Sequence, residues 1–139
     1  MQTPYLPLDG KRGLILGVAN ENSIAWGCAQ QAHRQGAKLA LSYLNDKAKT
    51  YVAPLAEQIE APLFPCDVTV PGSLEGFVEQ GVASLGGLDF AVHAIAWAPA
   101  DDLHGRVTDS SRDGFNQAMA ISCHTFAELG RLCEPHMTR

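Results

Sequence analysis

Apolar residues recur along this chain in two alternating patterns. Short continuous runs predict buried strands, and longer runs at helical spacing predict amphipathic helices. Strands that alternate with helices are typical of βαβ units, so we expect an α/β fold with a parallel sheet. The predicted strands are about Lys11–Leu16, Lys38–Tyr43, Leu63–Cys66 and Leu88–Ile95. The predicted helices are about Ile24–Gln35, a segment following Asp46, a segment between Pro71-Gly72-Ser73 and Gly86-Gly87, and about Ser110–Cys133.

Right-handed crossovers between these strands predict a doubly wound, Rossmann-type parallel sheet with strand order 3-2-1-4. At 139 residues the chain has the length of one domain, covering 1–139. Ligands of such sheets bind at the carboxyl ends of the strands, where the order reverses. The residues to consider are therefore Gly17 to Ile24, Tyr43-Leu44, Asp67-Val68 and Ala94 to Ala98.

The stretch from Gly13 to Gly27 reads as a strand, a glycine turn and the start of a helix. This arrangement binds the pyrophosphate of dinucleotides. Gly17 lets the backbone approach an anion, and Ser23 is predicted to cap the helix with its hydroxyl near a phosphate. The glycine spacing differs from G-x-G-x-x-G, and the pattern alone fits a plain strand–helix junction equally well.

The other strand ends leave alternatives open. Leu44 lies at the end of the second strand, and no Arg follows it. This position therefore does not decide between NAD and NADP as the cofactor. Asp67 either accepts from an adenine amino group, beside the Val68 N–H, or caps the next helix. The small residues around Ile95 either run beside a ribose or pack in the core.

Finer features of the helices carry further expectations. Asp46 is a candidate cap of the second helix, in which Pro54 produces a bend or a late start. Ile121 and Leu132 lie off the main apolar stripe of the fourth helix, which suggests a second buried face, against another subunit. The residues expected to share one side of that helix are Phe115, Met119, Ser122, Phe126 and Leu129.

Composition narrows the partners and the compartment. The net charge is −5 with no basic run, which argues against nucleic acid and anionic membranes. No apolar run is long enough for a transmembrane helix. Residues 1–10 lack the features of a signal peptide, and Pro4 and Pro7 predict an extended lead-in. The four cysteines form no C-x-x-C pair or zinc spacing, so we expect reduced core thiols in a cytoplasmic protein without a metal site.

Several segments together resemble one family. They are GVANENSIAWG at 17–27, CDV at 66–68, HAIAWAP at 93–99, LHGR at 103–106 and ISCHTF at 121–126. The chain from about Leu8 to Met137 is similar to the enoyl-acyl-carrier-protein reductases of type II fatty-acid synthesis, within the short-chain dehydrogenase/reductase superfamily. The Gly-x5-Ser-Ile-Ala spacing is specific to this family, and Ser122 replaces the superfamily's usual Asn.

The resemblance implies NAD as cofactor and a role for each matching residue. Gly17, Ser23 and Ile24 would hold the pyrophosphate and the nearby ribose, and Asp67 and Val68 the adenine. Ile95 would lie along the nicotinamide-side ribose, and the backbone at Ala98 would approach the acyl substrate. Leu44 replaces a frequent Gln, which removes a side-chain hydrogen bond to the adenosine but leaves a packing contact. Ala96 replaces a frequent Gly, which narrows the nicotinamide side.

The resemblance also implies chemistry by a Tyr and a Lys separated by six residues on a fifth helix. None of Tyr5, Tyr43 and Tyr51 has that partner. Tyr43 and Lys47 match the Tyr-x3-Lys of ordinary short-chain dehydrogenases but lie on the adenosine side, so we assign no catalytic residue. The chain is then expected to be the cofactor-binding part of a longer enzyme, truncated before strand 5, with strand 4 as an exposed apolar edge.

The implied reaction of the intact protein is hydride transfer from NADH to the double bond of an enoyl thioester on an acyl carrier protein. A homotetramer is usual in the family. Two alternatives stay open: a non-catalytic nucleotide-binding module, and a carbonyl reductase of the same superfamily. The Ser-Ile-Ala segment and Ser122 conflict with the carbonyl reductase.

Overall fold

The structure, a computed structural model of the chain, describes residues 5–137. Its strands are β1 (Arg12–Leu16), β2 (Lys38–Tyr43), β3 (Leu63–Pro65) and β4 (Phe90–His93). Its helices are α1 (Ile24–Arg34), α2 (Asp46–Gln58), α3 (Ser73–Leu85), α4 (Ala100–Leu103), α5 (Arg112–Met119) and α6 (Thr125–Cys133). Short 3-10 turns cover Val107–Asp109 and Glu134–His136, and a π-helical turn, Ala120–His124, joins α5 to α6.

The described strands form one parallel sheet in the order β3-β2-β1-β4. This confirms the predicted doubly wound topology. In the register of the sheet, Leu14 of β1 lies between Ala40 of β2 and Ala91 of β4. The order reverses at β1, since β2 lies on one side of it and β4 on the other.

Alternation along β1 divides the core between the two faces of the sheet. Ile15 faces the layer of α1 and α2, where it packs with Trp26 and Val52. Leu14 and Leu16 face the opposite layer, which α3 and α6 supply. All three β1 side chains are fully buried, so this strand is the centre of both cores.

The chain differs from prediction at several element ends. Residues 7–10 form a turn, and Leu8 N donates to the carbonyl of Gln35. The predicted extended lead-in is therefore wrong at Pro7. Pro4 lies outside the described residues. The cap of α2 is Asn45, whose side chain accepts from Ala48 N at 2.9 Å, and not Asp46. The helix starts without delay, with Pro54 in its interior.

β4 is shorter than the predicted strand 88–95, and its residues are half-buried, not fully buried. In the described part of the chain, β1 flanks it on one side. Beyond that pairing, a single parallel bridge joins Leu88 to Met137. A strand with one full neighbour lacks the burial that a central parallel strand has, which explains the difference.

The predicted fourth helix is α5 and α6 with the π-helical turn between them. Ser111 begins it by accepting from Gly114 N at 3.0 Å. Phe115, Met119 and Phe126 were expected on its buried side, but they are exposed. From Gly114 to Thr125 the buried and half-buried positions lie one residue before the expected ones, at ordinary helical spacing. Leu129, Leu132 and Cys133 pack in the core with Leu14 and Leu16. The other buried or half-buried residues of this segment are Gly114, Ala118, Ile121, Ser122, Thr125 and Glu128.

No helix among residues 5–137 is both long enough and apolar enough to cross a bilayer.

The central role of β1 makes a simple stability prediction. Leu14→Ala removes a fully buried side chain that packs against α3 and α6, and it should lower the free energy of unfolding by about 3 kcal/mol. Leu103→Ala is the matched control, because Leu103 is 65% exposed. Urea denaturation of both variants measures the difference. Equal losses in the two variants would contradict this assignment of the core.

Candidate functional site

An open cleft lies where the strand order reverses, at the carboxyl ends of the sheet. Its volume is about 200 Å³. Four of the predicted site residues line it: Gly17, Leu44, Val68 and Ile95. The remaining wall residues are Val18, Ala19, Ser42, Cys66, Ala94 and Ala96. The cleft therefore lies where ligands bind in doubly wound sheets.

Gly17 sits at the bottom of the cleft, where β1 and β4 begin to separate. Its φ of +107° lies in the left-handed region, and a Cβ atom there would collide with the carbonyl oxygen of Ala94. Ala94 N in turn donates to the carbonyl of Leu16 at 3.0 Å. Contact with the protein's own backbone therefore requires glycine at residue 17. This reason is additional to the close approach of an anion that the sequence predicted.

The loop from Gly17 to Ser23 is closed by its own polar side chains. Ser23 Oγ accepts from Ala19 N at 2.9 Å and from Asn20 N at 3.0 Å. The Ser23 hydroxyl forms no cap on α1, so the predicted side-chain cap is wrong. The backbone carbonyl of Ser23 closes the first turn instead by accepting from Trp26 N. A hydroxyl that accepts two N–H bonds still has its own proton to donate.

The start of α1 has the electrostatic character of an anion site. The first N–H groups of a helix have no partner within it, and the helix dipole places positive charge there. No acidic residue lies in the first turn of α1. Ile24, its first residue, is 81% exposed. Ser23 and Ile24 do not line the cleft themselves, but Ser23 bonds to Ala19, which does.

On the β3 side, Val68 lines the cleft, whereas Asp67 does not. Asp67 Oδ1 accepts from Thr69 N at 2.9 Å and from Thr69 Oγ1 at 2.6 Å. The N-cap of α3 is Gly72, so Asp67 is not its cap. Asp67 N donates to Ser73 Oγ at 2.9 Å, which ties the end of β3 to the start of α3.

On the β4 side, the chain leaves the sheet through Ile95 and passes Ala98, which is half-buried and outside the cleft lining. Between them, both backbone polar atoms of Trp97 bond to Ser122. Trp97 N donates to Ser122 Oγ at 2.9 Å, and Ser122 Oγ donates to the Trp97 carbonyl at 3.0 Å.

Two wall residues lie outside the strand-end segments that the sequence predicted. Ser42 is 4% exposed, and its Oγ accepts from Gly17 N at 3.3 Å; its signal was a single polar residue inside an apolar strand. Cys66 is buried, and that burial, with smaller contributions from Asp67 and Glu75, raises the pKa of its thiol to about 12. The thiol stays protonated and serves as a packing surface.

The four cysteines form no disulfide. Cys66 and Cys133 are buried, as predicted for core thiols, Cys28 is half-buried and Cys123 is exposed, contrary to prediction. Residues 5–137 contain no group of three or more His, Cys, Asp or Glu side chains that could hold a metal ion.

His93, at the end of β4, is half-buried and hydrogen-bonded. Thr125 Oγ1 donates to the Ile121 carbonyl at 2.6 Å, so it accepts from His93 Nε2, which lies 2.7 Å away. The ring also packs edge-on against Phe126. Burial lowers the pKa of His93 below its usual value. The imidazole is therefore held neutral with its proton on Nε2.

The comparison with protein families decides the assignment. The family model described as Enoyl-(Acyl carrier protein) reductase matches residues 17–139. The chain belongs to the enoyl-acyl-carrier-protein reductase family. That match begins at Gly17, the residue at the bottom of the cleft.

Reductases of this family are similar to the chain over nearly all of its length. The enoyl-[acyl-carrier-protein] reductase [NADH] 2 of Rhizobium meliloti is 43% identical over 125 residues, which is 89% of this chain and 47% of the relative. The reductase of Anaplasma phagocytophilum, solved in complex with NAD, superposes with a TM-score of 0.89 at 40% identity, covering 98% of this chain and 52% of that one.

The Bacillus cereus reductase, solved with NADP+ and an indole naphthyridinone, gives a TM-score of 0.89 at 38% identity, covering 94% of this chain and 52% of that one. The chain thus spans about half the length of the reductases it matches. These matches confirm the family and the Rossmann-type fold that the sequence predicted.

The close approach at Gly17 can be tested by substitution. Gly17→Ala should destabilise the chain both through its positive φ, at about 1–3 kcal/mol, and through the collision with Ala94, at about 2 kcal/mol more. Gly105→Ala separates the two effects, because Gly105 has a φ of +92° but no atom within 4 Å of a built Cβ. Thermal denaturation of both variants gives the comparison. A Gly17 variant no less stable than the Gly105 variant would rule out the collision.

Proposed function

We propose that residues 1–139 form the NAD-binding unit of an NADH-dependent enoyl-acyl-carrier-protein reductase, which transfers hydride to the double bond of an enoyl thioester in fatty-acid elongation. One observation carries the proposal. The cleft opens at the reversal point of the sheet, beside a helix start without acidic residues, in a chain 40% identical to a reductase solved with NAD.

The donors and surfaces of the cleft match the chemistry of a dinucleotide. Its middle, at the loop that begins with Gly17, offers helix N–H groups and the Ser23 hydroxyl to an anion. Its two sides are apolar, with Val68 on one and Ile95 on the other, as flat rings require. We assign Gly17, Ser23 and Ile24 to the pyrophosphate and the adjoining ribose.

We assign Asp67 and Val68 to the adenine. One oxygen of Asp67 is occupied by Thr69, and the other is proposed to accept from the adenine amino group while Val68 N–H donates to a ring nitrogen. Leu44 would pack against the adenosine portion from the tip of β2. Its side chain is 55% exposed and lines the cleft, so it is available for such a contact.

On the opposite side, Ile95 is assigned to the nicotinamide-side ribose and the Ala98 backbone to the acyl substrate. Bound NADH supplies the hydride, and these residues orient the two reactants and keep water out. A Tyr and a Lys outside residues 1–139 would stabilise the enolate oxygen as its charge develops. None of the three tyrosines in this chain has a Lys at the required spacing.

The partners and the location belong to the same proposal. An acyl carrier protein delivers the substrate, the full-length protein is a homotetramer, and it works in the cytoplasm. The exposed aromatic and methionine side chains of α5 and α6 support a subunit contact there. They are Phe115, Met119 and Phe126.

The proposal predicts a separation of binding from turnover. The 139-residue chain should quench or shift NADH fluorescence on binding but show no crotonyl-thioester-dependent NADH oxidation. The full-length protein should show both. Turnover by the 139 residues alone would contradict the assignment of the chemistry to another segment. Binding without turnover by the full-length protein would instead favour a nucleotide-binding module.

Leu44 gives a prediction that is specific to this sequence. Leu44→Gln should tighten NADH binding about fivefold, because it adds one hydrogen bond of about 1 kcal/mol to the adenosine portion. Leu103→Gln is the control, since Leu103 is an exposed leucine that does not line the cleft. Fluorescence titration of NADH measures both dissociation constants. Equal values for the Leu44 variant and the unmodified chain would exclude a polar adenosine contact at residue 44.

A further inference from the structure

The loop that follows β4 is held by few contacts. From Ala96 to Ser111 most residues are exposed, with Ala98, Pro99 and Asp102 half-buried. Apolar burial therefore contributes little to its position. The polar contacts that join it to the rest of the fold gain importance for that reason.

One hydroxyl supplies two of those contacts. Ser122 Oγ accepts from Trp97 N at 2.9 Å and donates to the Trp97 carbonyl at 3.0 Å. Both backbone polar atoms of one residue are thus bound by a single side chain. Trp97 lies between Ala96, which lines the cleft, and Ala98, which is assigned to the acyl substrate.

The π-helical turn orients this hydroxyl. Ile121, the residue before Ser122, is buried toward the sheet, and Thr125 is buried beside His93. The carbonyl of Ile121 accepts from the Thr125 hydroxyl. Packing and hydrogen bonding on both sides of Ser122 therefore fix the rotation of the turn, and Ser122 itself faces the loop.

The far end of the same segment is held by the start of α5. Asp102 accepts from Ser111 N at 2.9 Å and from Ser111 Oγ at 2.8 Å. A Cβ atom on Gly114 would collide with the Asp102 carboxylate, so the glycine permits this approach. Residues 97–102 are thus hydrogen-bonded at both ends to the continuous helical segment formed by α5, the π-helical turn and α6.

We propose that Ser122 is a positioning residue for the acyl side of the site: its hydroxyl fixes the Trp97 peptide and thereby the Ala98 backbone against which the enoyl thioester lies. This proposal rests on the proposed function. It adds a specific role for a side chain that is outside the cleft lining and outside the set of predicted site residues.

The test uses the full-length protein with Ser122→Ala, Ser122→Thr and the control Ser84→Ala. The Ser84 hydroxyl donates to the Gly81 carbonyl of its own helix, far from the loop after β4 in the chain. Ser122→Ala should speed amide exchange about tenfold in peptides covering residues 95–99. It should raise KM for crotonyl thioester about fivefold or more and change the dissociation constant of NADH less than twofold. Ser122→Thr retains the hydroxyl and should restore both values, while Ser84→Ala changes neither.

The outcomes separate the two proposals. Unchanged exchange in Ser122→Ala would overturn the anchoring role. Faster exchange with an unchanged KM would reduce Ser122 to a structural contact and overturn its positioning role. Absence of thioester reduction by the unmodified protein would refute the proposed function and with it the substrate part of this inference. The exchange measurement would still decide the anchoring part.

Discussion

The close crossing of two backbone segments at the reversal point of the sheet is the constraint on which the site depends. Gly17 follows β1 and packs against the carbonyl of Ala94, and only a residue without a Cβ atom fits there. Leu16 and Ala94 still share a backbone hydrogen bond, so the strands separate immediately beyond it. The cleft is the space that this separation opens. Its walls are residues at or just beyond the carboxyl end of each strand, and its shape follows from the strand order and not from any one loop.

Serine hydroxyls accept hydrogen bonds from the segments that follow β1, β3 and β4 at the rim of this cleft. Ser42 of β2 accepts from the first loop amide after β1, and Ser23 accepts from two further amides of that loop. Ser73 accepts from the Asp67 amide, two residues beyond β3, and Ser122 accepts from the Trp97 amide in the loop after β4. Amides at the end of a strand have lost their ladder partners and need another acceptor when they are shielded from water. Serines satisfy them with short side chains, and the rim is ordered without closing the cleft.

The sequence was sufficient for the topology but not for these contacts. Alternating periodicities located every strand and most helix starts, because burial patterns depend only on nearby residues. The direction of the Ser23 hydroxyl could not be predicted, since a serine before a helix can cap it or bind the preceding loop, and the fold of residues 17–22 decides which. The π turn was also out of reach. A single inserted residue leaves little trace in a 3.6-residue pattern, and Ser122, which bonds to Trp97, lies within that turn.

The two sides of the cleft are attached to the fold in different ways, and this fits the roles proposed for them. The side proposed for adenosine is formed by the ends of β2 and β3, which pair with each other as far as Tyr43 and Pro65 and lie over a buried core. The side proposed for the acyl substrate is an exposed segment held by Ser122 and Asp102. A dinucleotide has a constant shape, so a rigid surface suits it. Acyl groups vary in length, and a segment attached at two points can change its position between them. The division of this cleft into a rigid and a tethered half therefore follows from the paired ends of β2 and β3 on one side and the exposed segment after β4 on the other.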